Sequence, residues 1–179
     1  MIQARWPFAH ALTCALLVGQ AGNAGAQPST PKPQQTSAVY EDWIVRCETK
    51  PSPPAQKICE MVQFTQLKGQ AGVLTQIVIG HPVKGQPYRI AIQVPISMWL
   101  PTGVRLSAGG KDEGIVAQFM WCVPTACFAV VETKDDIIKK FRSATEAGKL
   151  QFKDANQRDI ALPVSFKGFG TAYDALMKE

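Results

Sequence analysis

Residues 114–133 of this 179-residue chain, GIVAQFMWCVPTACFAVVET, decide the fold. They form two apolar runs joined by four residues that include Pro124 and lie between Cys122 and Cys127. Such a connection is typical of a β-hairpin, and we expect Cys122 and Cys127 to face each other as the last pair before the turn. The hairpin is therefore the predicted centre of the domain.

The register of that hairpin follows from the cysteine pair, because residues directly opposite each other share a face of the sheet. Met120 should lie opposite Ala129, and Gln118 opposite Val131. The other face would then be a continuous apolar surface that the rest of the chain has to cover. Its members are Ala117, Phe119, Trp121, Phe128 and Val130.

The residues around the hairpin have mostly the pattern of strands. Tyr88 and Ile90 alternate with Arg89 and Ala91, which indicates a strand with one wet face. Further strands are predicted at 42–47, 58–66, 73–79, 88–94, 103–108, 150–152 and 160–164. Short strands separated by glycine, proline and polar turns predict a mainly β domain, either a β-sandwich or a partly open barrel of antiparallel strands.

Two helices are expected beside the strands. Thr133 and Asp136 have the spacing of a capping box, which predicts one packed helix that begins there and ends at Gly148. A short amphipathic helix is predicted at the C terminus, over residues 172–178.

The first residues resemble an export signal. Arg5 and His10 precede an apolar segment, 11–19, and a small-x-small cleavage site follows at 24–26. We therefore predict a signal peptide at 1–26, a disordered tether rich in proline and glutamine at 27–38, and a single disulfide-bonded β domain at 39–179. The expected location is the periplasm, or the outer membrane and cell surface.

The charge balance excludes some partners. Loss of Arg5 with the signal would leave 18 basic and 14 acidic residues, a net charge of +4. An exported protein with so mild a charge is a poor candidate for nucleic-acid binding. No later apolar stretch is long enough to span a bilayer, so any membrane contact of the processed chain should be peripheral.

The four cysteines of the processed chain predict two disulfides. Their separations are C-x11-C and C-x4-C, whereas zinc sites usually pair cysteines at shorter spacing in reducing compartments. Of the three possible connectivities we predict Cys47 with Cys59 and Cys122 with Cys127, since both fit local hairpins. No metal or cofactor is expected, and a redox role is not expected because the C-x-x-C spacing of thioredoxin-like proteins is absent.

The residues that could support catalysis have simpler interpretations. His81 follows a glycine and precedes a proline, as turn histidines do, and no local motif offers it a nucleophile. The acid pair at 112–113 is interpreted as a solvated turn, and the pair at 135–136 as the start of a helix. We therefore predict no catalytic residue and no enzymatic activity.

Two sets of residues are candidates for binding. The first is the loop 95–101, PISMWLP, whose Ile96, Met98, Trp99 and Leu100 either form an exposed contact surface or plug the open end of the sheet. The second is a basic face on the predicted helix that could contact anionic lipid or glycan, or be its solvated side. It comprises Lys139, Lys140 and Arg142.

Several of these residues together resemble the invasion-associated locus B family of exported bacterial proteins. They are Trp43, Cys47, Cys59, Gln63, the segment 94–104, the pair Cys122 and Cys127, and the ending 162–169, LPVSFKGF. Ala126 departs from the pattern, since relatives more often have glycine before the last cysteine. The resemblance covers nearly all of the processed domain and implies an envelope protein without a known catalytic residue.

The sequence therefore predicts an exported cell-envelope protein that binds an envelope or host-surface partner and contributes to host-cell interaction. Two alternatives stay open. One is an envelope enzyme that acts on glycans or peptides, and the other is a chaperone-like holder of an exported client.

Overall fold

A computed structural model of the chain describes residues 35–51, 53–66, 69, 74–81 and 86–179. The predicted signal peptide and residues 27–34 of the predicted tether lie outside these residues. Everything below concerns the described part.

The domain is one antiparallel sheet of ten strands that curls into a half-barrel. Along the sheet the strands run β1-β2-β3-β4-β5-β8-β7-β6-β9-β10. Their bounds are β1 (Gln35–Tyr40), β2 (Trp43–Lys50), β3 (Gln56–Thr65), β4 (Thr75–Gly80), β5 (Tyr88–Val94), β6 (Val104–Ser107), β7 (Ile115–Val123), β8 (Ala126–Thr133), β9 (Gly148–Lys153) and β10 (Asp159–Val164). Two helices, α1 (Asp135–Arg142) and α2 (Phe169–Leu176), and a 3-10 turn (Leu100–Thr102) complete it. The predicted mainly β fold is confirmed in its partly open barrel form.

The core lies between the concave face of the sheet and the two helices. In β5 the side chains of Tyr88, Ile90, Ile92 and Val94 are buried and Arg89 is exposed, as the predicted alternation requires. Helix α1 contributes two buried side chains to this core, and α2 contributes three. They are Ile138, Phe141, Phe169, Ala172 and Leu176.

The first strand was not predicted. Residues 35–38 belong to β1, which pairs with β2 from Gln35 opposite Glu48 to Tyr40 opposite Trp43. The predicted start of the domain at Val39 is therefore four residues too late, and the predicted disorder of residues 35–38 is wrong. All six residues of β1 are exposed or half-buried. Main-chain pairing with β2, and not burial of side chains, therefore orders this edge strand.

The central hairpin has the predicted cysteine pair but a different register beyond it. Cys122 lies opposite Cys127 and Trp121 opposite Phe128, after which a β-bulge sets Phe119 opposite Ala129. Met120 is the extra residue of the bulge. The predicted pairing of Met120 with Ala129 is wrong for this reason.

The bulge also divides the predicted apolar face between the two sides of the sheet. Ala117 is buried and Phe119 packs against the core, whereas Trp121 is exposed. Because one inserted residue reverses the alternation of the strand, Trp121 points away from the side that Phe119 occupies.

Helix α1 begins and ends differently from the prediction. Its N-cap is Lys134, which makes no side-chain capping bond, and Thr133 is the buried last residue of β8. Gly148 does not close α1 but opens β9, where a Cβ atom would lie 2.3 Å from the carbonyl oxygen of Ser107 and 2.4 Å from the ring of Phe166. The glycine is needed for this close approach of two chain segments.

The C-terminal segment packs against the first strands. The indole Nε1 of Trp43 donates a hydrogen bond of 3.0 Å to the carbonyl oxygen of Ser165, and Nε2 of Gln63 donates one of 2.5 Å to the same atom. Trp43 also meets the ring of Phe169 edge to face at 5.0 Å. Helix α2 starts three residues before its predicted position, after Gly168 in the left-handed conformation.

Candidate functional site: an exposed apolar end of the sheet

Four cysteines form two cross-strand pairs. The sulfur atoms of Cys47 and Cys59 lie at disulfide-bond distance, with the residues opposite each other in β2 and β3. Those of Cys122 and Cys127 do the same in β7 and β8. In the first pair Cys47 is buried and Cys59 half-buried, whereas in the second Cys127 is buried and Cys122 is exposed at the hairpin turn.

Most of the large hydrophobic side chains that are exposed in the described residues lie at one end of the sheet, which we call the apolar end. Its six members are Phe64, Ile96, Leu100, Met120, Trp121 and Val123, and the other two exposed large hydrophobic residues are Val39 and Met177. Met120 is 64% exposed and Trp121 45%. Concentration of such residues in one place is typical of an interaction surface.

Strand pairing places these residues together. Phe64, near the end of β3, lies opposite Gln76, which pairs with Gln93 near the end of β5. Gln93 in turn lies opposite Phe128, the neighbour of Trp121 across the hairpin. The rings of Trp121 and Phe128 stack with centroids 5.2 Å apart. A row of three aromatic and two amide side chains thus crosses this end of the sheet.

The loop 95–101 starts at the same end, because Val94, the last residue of β5, pairs with Cys127. It is fastened to the β9–β10 connection by two hydrogen bonds, from the amide of Trp99 to the carbonyl of Lys153 and from the amide of Ala155 to the carbonyl of Ser97, both 2.9 Å. An isolated β-bridge joins Met98 to Asp154.

The four apolar side chains of this loop divide between exposed and partly buried positions. Met98 packs against the core and Trp99 is half-buried, so these two cover the open end of the sheet. Ile96 and Leu100 are exposed and belong to the apolar end. The predicted set of four residues therefore supplies two members of the surface.

The hairpin tip was missed in the sequence because its register was taken without the bulge. Met120, Trp121 and Val123 are exposed, although the sequence interpretation put Trp121 on a covered face. The charge pattern of the sequence was the signal that could have revealed the apolar end. Residues 94–104 and 114–131 contain no aspartate, glutamate, lysine or arginine.

The outer part of β7 has only one neighbouring strand among the described residues. Pairing with β6 covers residues 115–117, and Gln118–Val123 pair with β8 alone. The Cα atoms of Cys122 and Cys127 are 4.0 Å apart. Such a short separation marks a pair that exchanges no main-chain hydrogen bonds, so the amide and carbonyl of Cys122 point away from β8.

The predicted basic face is largely neutralised within the protein. Nζ of Lys140 lies 3.3 Å from the carboxylate of Asp112. The guanidinium of Arg142 binds the carboxylate of Asp174 with two hydrogen bonds, 2.6 and 3.2 Å, and lies over the ring of Tyr173. An anionic ligand would have to compete with these carboxylates, and Lys139 is the one member of the set without an ion pair among the described residues.

Asp112 is a structural residue of the β6–β7 connection. Its carboxylate accepts a hydrogen bond of 2.8 Å from the amide of Ala108. That bond, with further ones from the amide of Gly114 and from Lys140, holds the pKa of Asp112 below its usual range. The interpretation of residues 112–113 as merely a solvated turn is therefore wrong for Asp112.

His81 lies just before β5, in a surface pocket that Arg89 and Trp121 also line. Its Nδ1 donates a hydrogen bond of 2.7 Å to the carbonyl of Gln86, and its ring lies against Tyr88 with centroids 3.9 Å apart. Burial, followed by a hydrogen bond with the hydroxyl of Tyr173, raises the pKa of Tyr88. The contacts of His81 thus join the end of β4 to the start of β5.

Two further features of the described chain bear on its chemistry. Cys47, Cys59 and the terminal residue Glu179 are close enough to one another to resemble a metal site, but the two sulfurs are bonded to each other and Lys57 pairs with Glu179. No helix in the described part has the length and apolar character needed to cross a membrane.

Comparison with known proteins gives one consistent family. Residues 43–177 match the profile described as Invasion associated locus B (IalB) protein. Two curated relatives, both called invasion protein B homolog and found in two strains of Brucella abortus, are 28% identical over 143 residues, which is 77% of this chain and 77% of each relative. The crystal structure of invasion associated protein B from Bartonella henselae has a similar fold, with a TM-score of 0.67, 20% identity, and coverage of 80% of this chain and 95% of that chain.

Proposed function

Because the chain belongs to the Invasion associated locus B (IalB) family, we propose that it is an exported protein of the bacterial envelope that acts by binding rather than by catalysis. The observation that carries the proposal is the apolar end, since six of the eight exposed large hydrophobic side chains of the described residues lie at this end of the sheet. Exposing an apolar surface to water costs free energy, and covering it with a partner lowers the free energy again.

The cysteine pairs support export. Two pairs at disulfide-bond distance favour an oxidising compartment, since cytosolic thiols are kept reduced. The apolar segment 11–19 and the small residues at 24–26 have the pattern of a signal peptide. The periplasmic side of the envelope or the cell surface is the compartment that we propose.

A contribution to contact with host cells is the finer part of the proposal. It rests on the relatives, which are called invasion proteins, and on the apolar end as the surface that such a contact would use. The name of a relative supports this role only by analogy, so the experiment has to compare bacterial and host membranes directly.

The test is capture of the purified protein by bacterial envelope fractions and by host-cell membranes. Replacing Leu100 with aspartate places a charge in the apolar end and should abolish capture. The matched control is Val39→Asp, which puts the same charge on another exposed apolar residue outside the apolar end. Equal capture of wild type and both variants would contradict the proposal that this surface binds.

A further inference from the structure

We propose that the apolar end docks on a lipid bilayer, with the β7–β8 turn entering the interface between headgroups and acyl chains. The inference deepens the proposed function and rests on it, because it names the partner of the same surface. It is argued from the charge, the shape and the main-chain bonding of the hairpin tip.

The charge pattern favours lipid over a protein partner. Residues 94–104 and 114–131 form the loop and the hairpin that dominate the apolar end, and neither stretch contains a charged residue. Protein interfaces normally select their partner with hydrogen bonds and charged groups around an apolar centre. A bilayer interface requires only apolar area, and a charge in this area would oppose its entry.

The shape of the tip suits insertion. Beyond residue 117 the strand β7 loses β6 as a neighbour, and β8 pairs with β5 only as far as Cys127, so the turn from Val123 to Ala126 extends beyond both neighbouring strands. Met120 and Val123 are exposed beside this turn, and Trp121 stacks on Phe128 next to it. Tryptophan is the residue that prefers the headgroup level of a bilayer.

The cysteine pair prepares the tip for binding. Cys122 and Cys127 are joined directly before the turn, which fixes the two strands to each other. A segment that is ordered before it binds loses less conformational entropy on binding. Pro124 in the turn also has no amide hydrogen that would need a partner away from water.

The main chain limits the depth of insertion. The amide and carbonyl of Cys122 point away from β8, and no hydrogen-bond partner for them lies among the described residues. Main-chain groups without partners are excluded from the hydrocarbon core, because each costs several kcal/mol there (about 2–7 by transfer). The tip should therefore stay in the interface, where water reaches these groups.

The same open edge could instead receive a strand from a second copy of the chain. The bulge at Met120 disfavours this, because a bulge disrupts the regular ladder that an added strand would need, and bulged edges are a common protection against such pairing. Self-association is thus a separate outcome of the test.

The experiment uses processed protein purified from the periplasm of expressing cells, with its N terminus determined by mass spectrometry. Vesicles of phosphatidylcholine, alone or mixed with phosphatidylglycerol, are floated with wild type, Met120→Asp, Val123→Asp and the control Val39→Asp. Each tip variant should lower the partition coefficient by about tenfold or more, the loss expected when one buried apolar side chain is withdrawn. Val39→Asp should bind as wild type does.

Two further readouts make the result specific. Because residues 94–104 and 114–131 carry no charge, partition should be nearly the same at low and high salt and on both lipid mixtures. Brominated lipid should quench the fluorescence of the protein, and Trp121→Phe should lower that quenching, because Trp43 is fully buried and Trp99 is half-buried while Trp121 is exposed. Circular dichroism of each variant establishes that it is folded.

Three results would overturn the inference: wild type that does not float with either lipid, equal loss in Val39→Asp, or strong salt dependence. If wild type does not bind vesicles, while envelope fractions still capture wild type and not Leu100→Asp, the proposed binding function stands and lipid is the wrong partner. If wild type is a dimer that Met120→Asp dissociates, and it does not bind vesicles, the open edge of β7 binds a second copy of the chain.

Discussion

Removing both hydrogen-bond donors to the carbonyl oxygen of Ser165 should destabilise the protein by more than the two single replacements together. Trp43 and Gln63 both donate to this atom, at 3.0 and 2.5 Å, and both side chains are buried. While either donor remains, the carbonyl keeps a partner. When both are lost, a main-chain acceptor in the packed junction between the first strands and the C-terminal segment has none.

The magnitudes follow from what each replacement removes. Trp43→Phe loses one hydrogen bond and part of a fully buried ring, about 2 kcal/mol in total. Gln63→Met keeps the shape of the side chain and loses one hydrogen bond, about 1 kcal/mol. The double variant adds the cost of the unpaired carbonyl, about 1–2 kcal/mol beyond the sum.

Urea unfolding of the four proteins, followed by circular dichroism, measures the coupling energy as a double-mutant cycle. Equal slopes of free energy against urea concentration would show that the variants unfold in the same way. Additivity within about 0.5 kcal/mol would refute the reasoning, because it would mean that the carbonyl of Ser165 finds another partner at no cost.

Three further predictions concern single residues. The pKa of Asp112 is lowered in the folded state, so its contribution to stability is present above the ordinary carboxyl pKa and is lost as the pH falls below about 4. Asp112→Asn should lower the free energy of unfolding by about 1–3 kcal/mol at neutral pH. In the variant, that free energy should also depend less on pH in the acid range. The pKa of Tyr88 is raised, so stability should fall as the pH rises above about 10, and Tyr88→Phe should remove that slope in the same measurement. Gly168 has φ +77°, and a Cβ atom there would lie 2.0 Å from the carbonyl oxygen of Tyr40. Gly168→Ala should therefore cost about 2 kcal/mol or more, whereas Gly170→Ala, with open space around it, should be neutral or gain up to about 1 kcal/mol; equal effects of the two would contradict the packing described here.

Local patterns predicted most strands, because alternation of apolar and polar residues is a property of neighbours in the chain. The pairing of Val45 with Met61 also follows from the position of two cysteines and is observed. β1 has no such pattern: its residues Gln35–Tyr40 are exposed or half-buried at the edge of the sheet, and main-chain bonds to β2 order them. Composition alone made this strand look like part of a tether.

The apolar end was only half predicted, and the reason is a single inserted residue. Ile96 and Leu100 were recognised in a loop, but the bulge at Met120 could not be read from a sequence in which alternation continues without a break. Ion pairs such as Arg142 with Asp174 could not be predicted from the sequence, since they join elements that only the folded chain brings together. The same holds for both donors to Ser165.

The packing of α2 on β1, β2 and β3 has a consequence for how the protein is made. Trp43 reaches Ser165 across 122 positions of the chain, and Lys57 reaches Glu179 across the same number. Trp43 is made long before Ser165, so the early strands cannot complete these contacts until the segment that carries α2 has also been made. Loss of α2 would leave β1, β2 and β3 without the helix that packs on them.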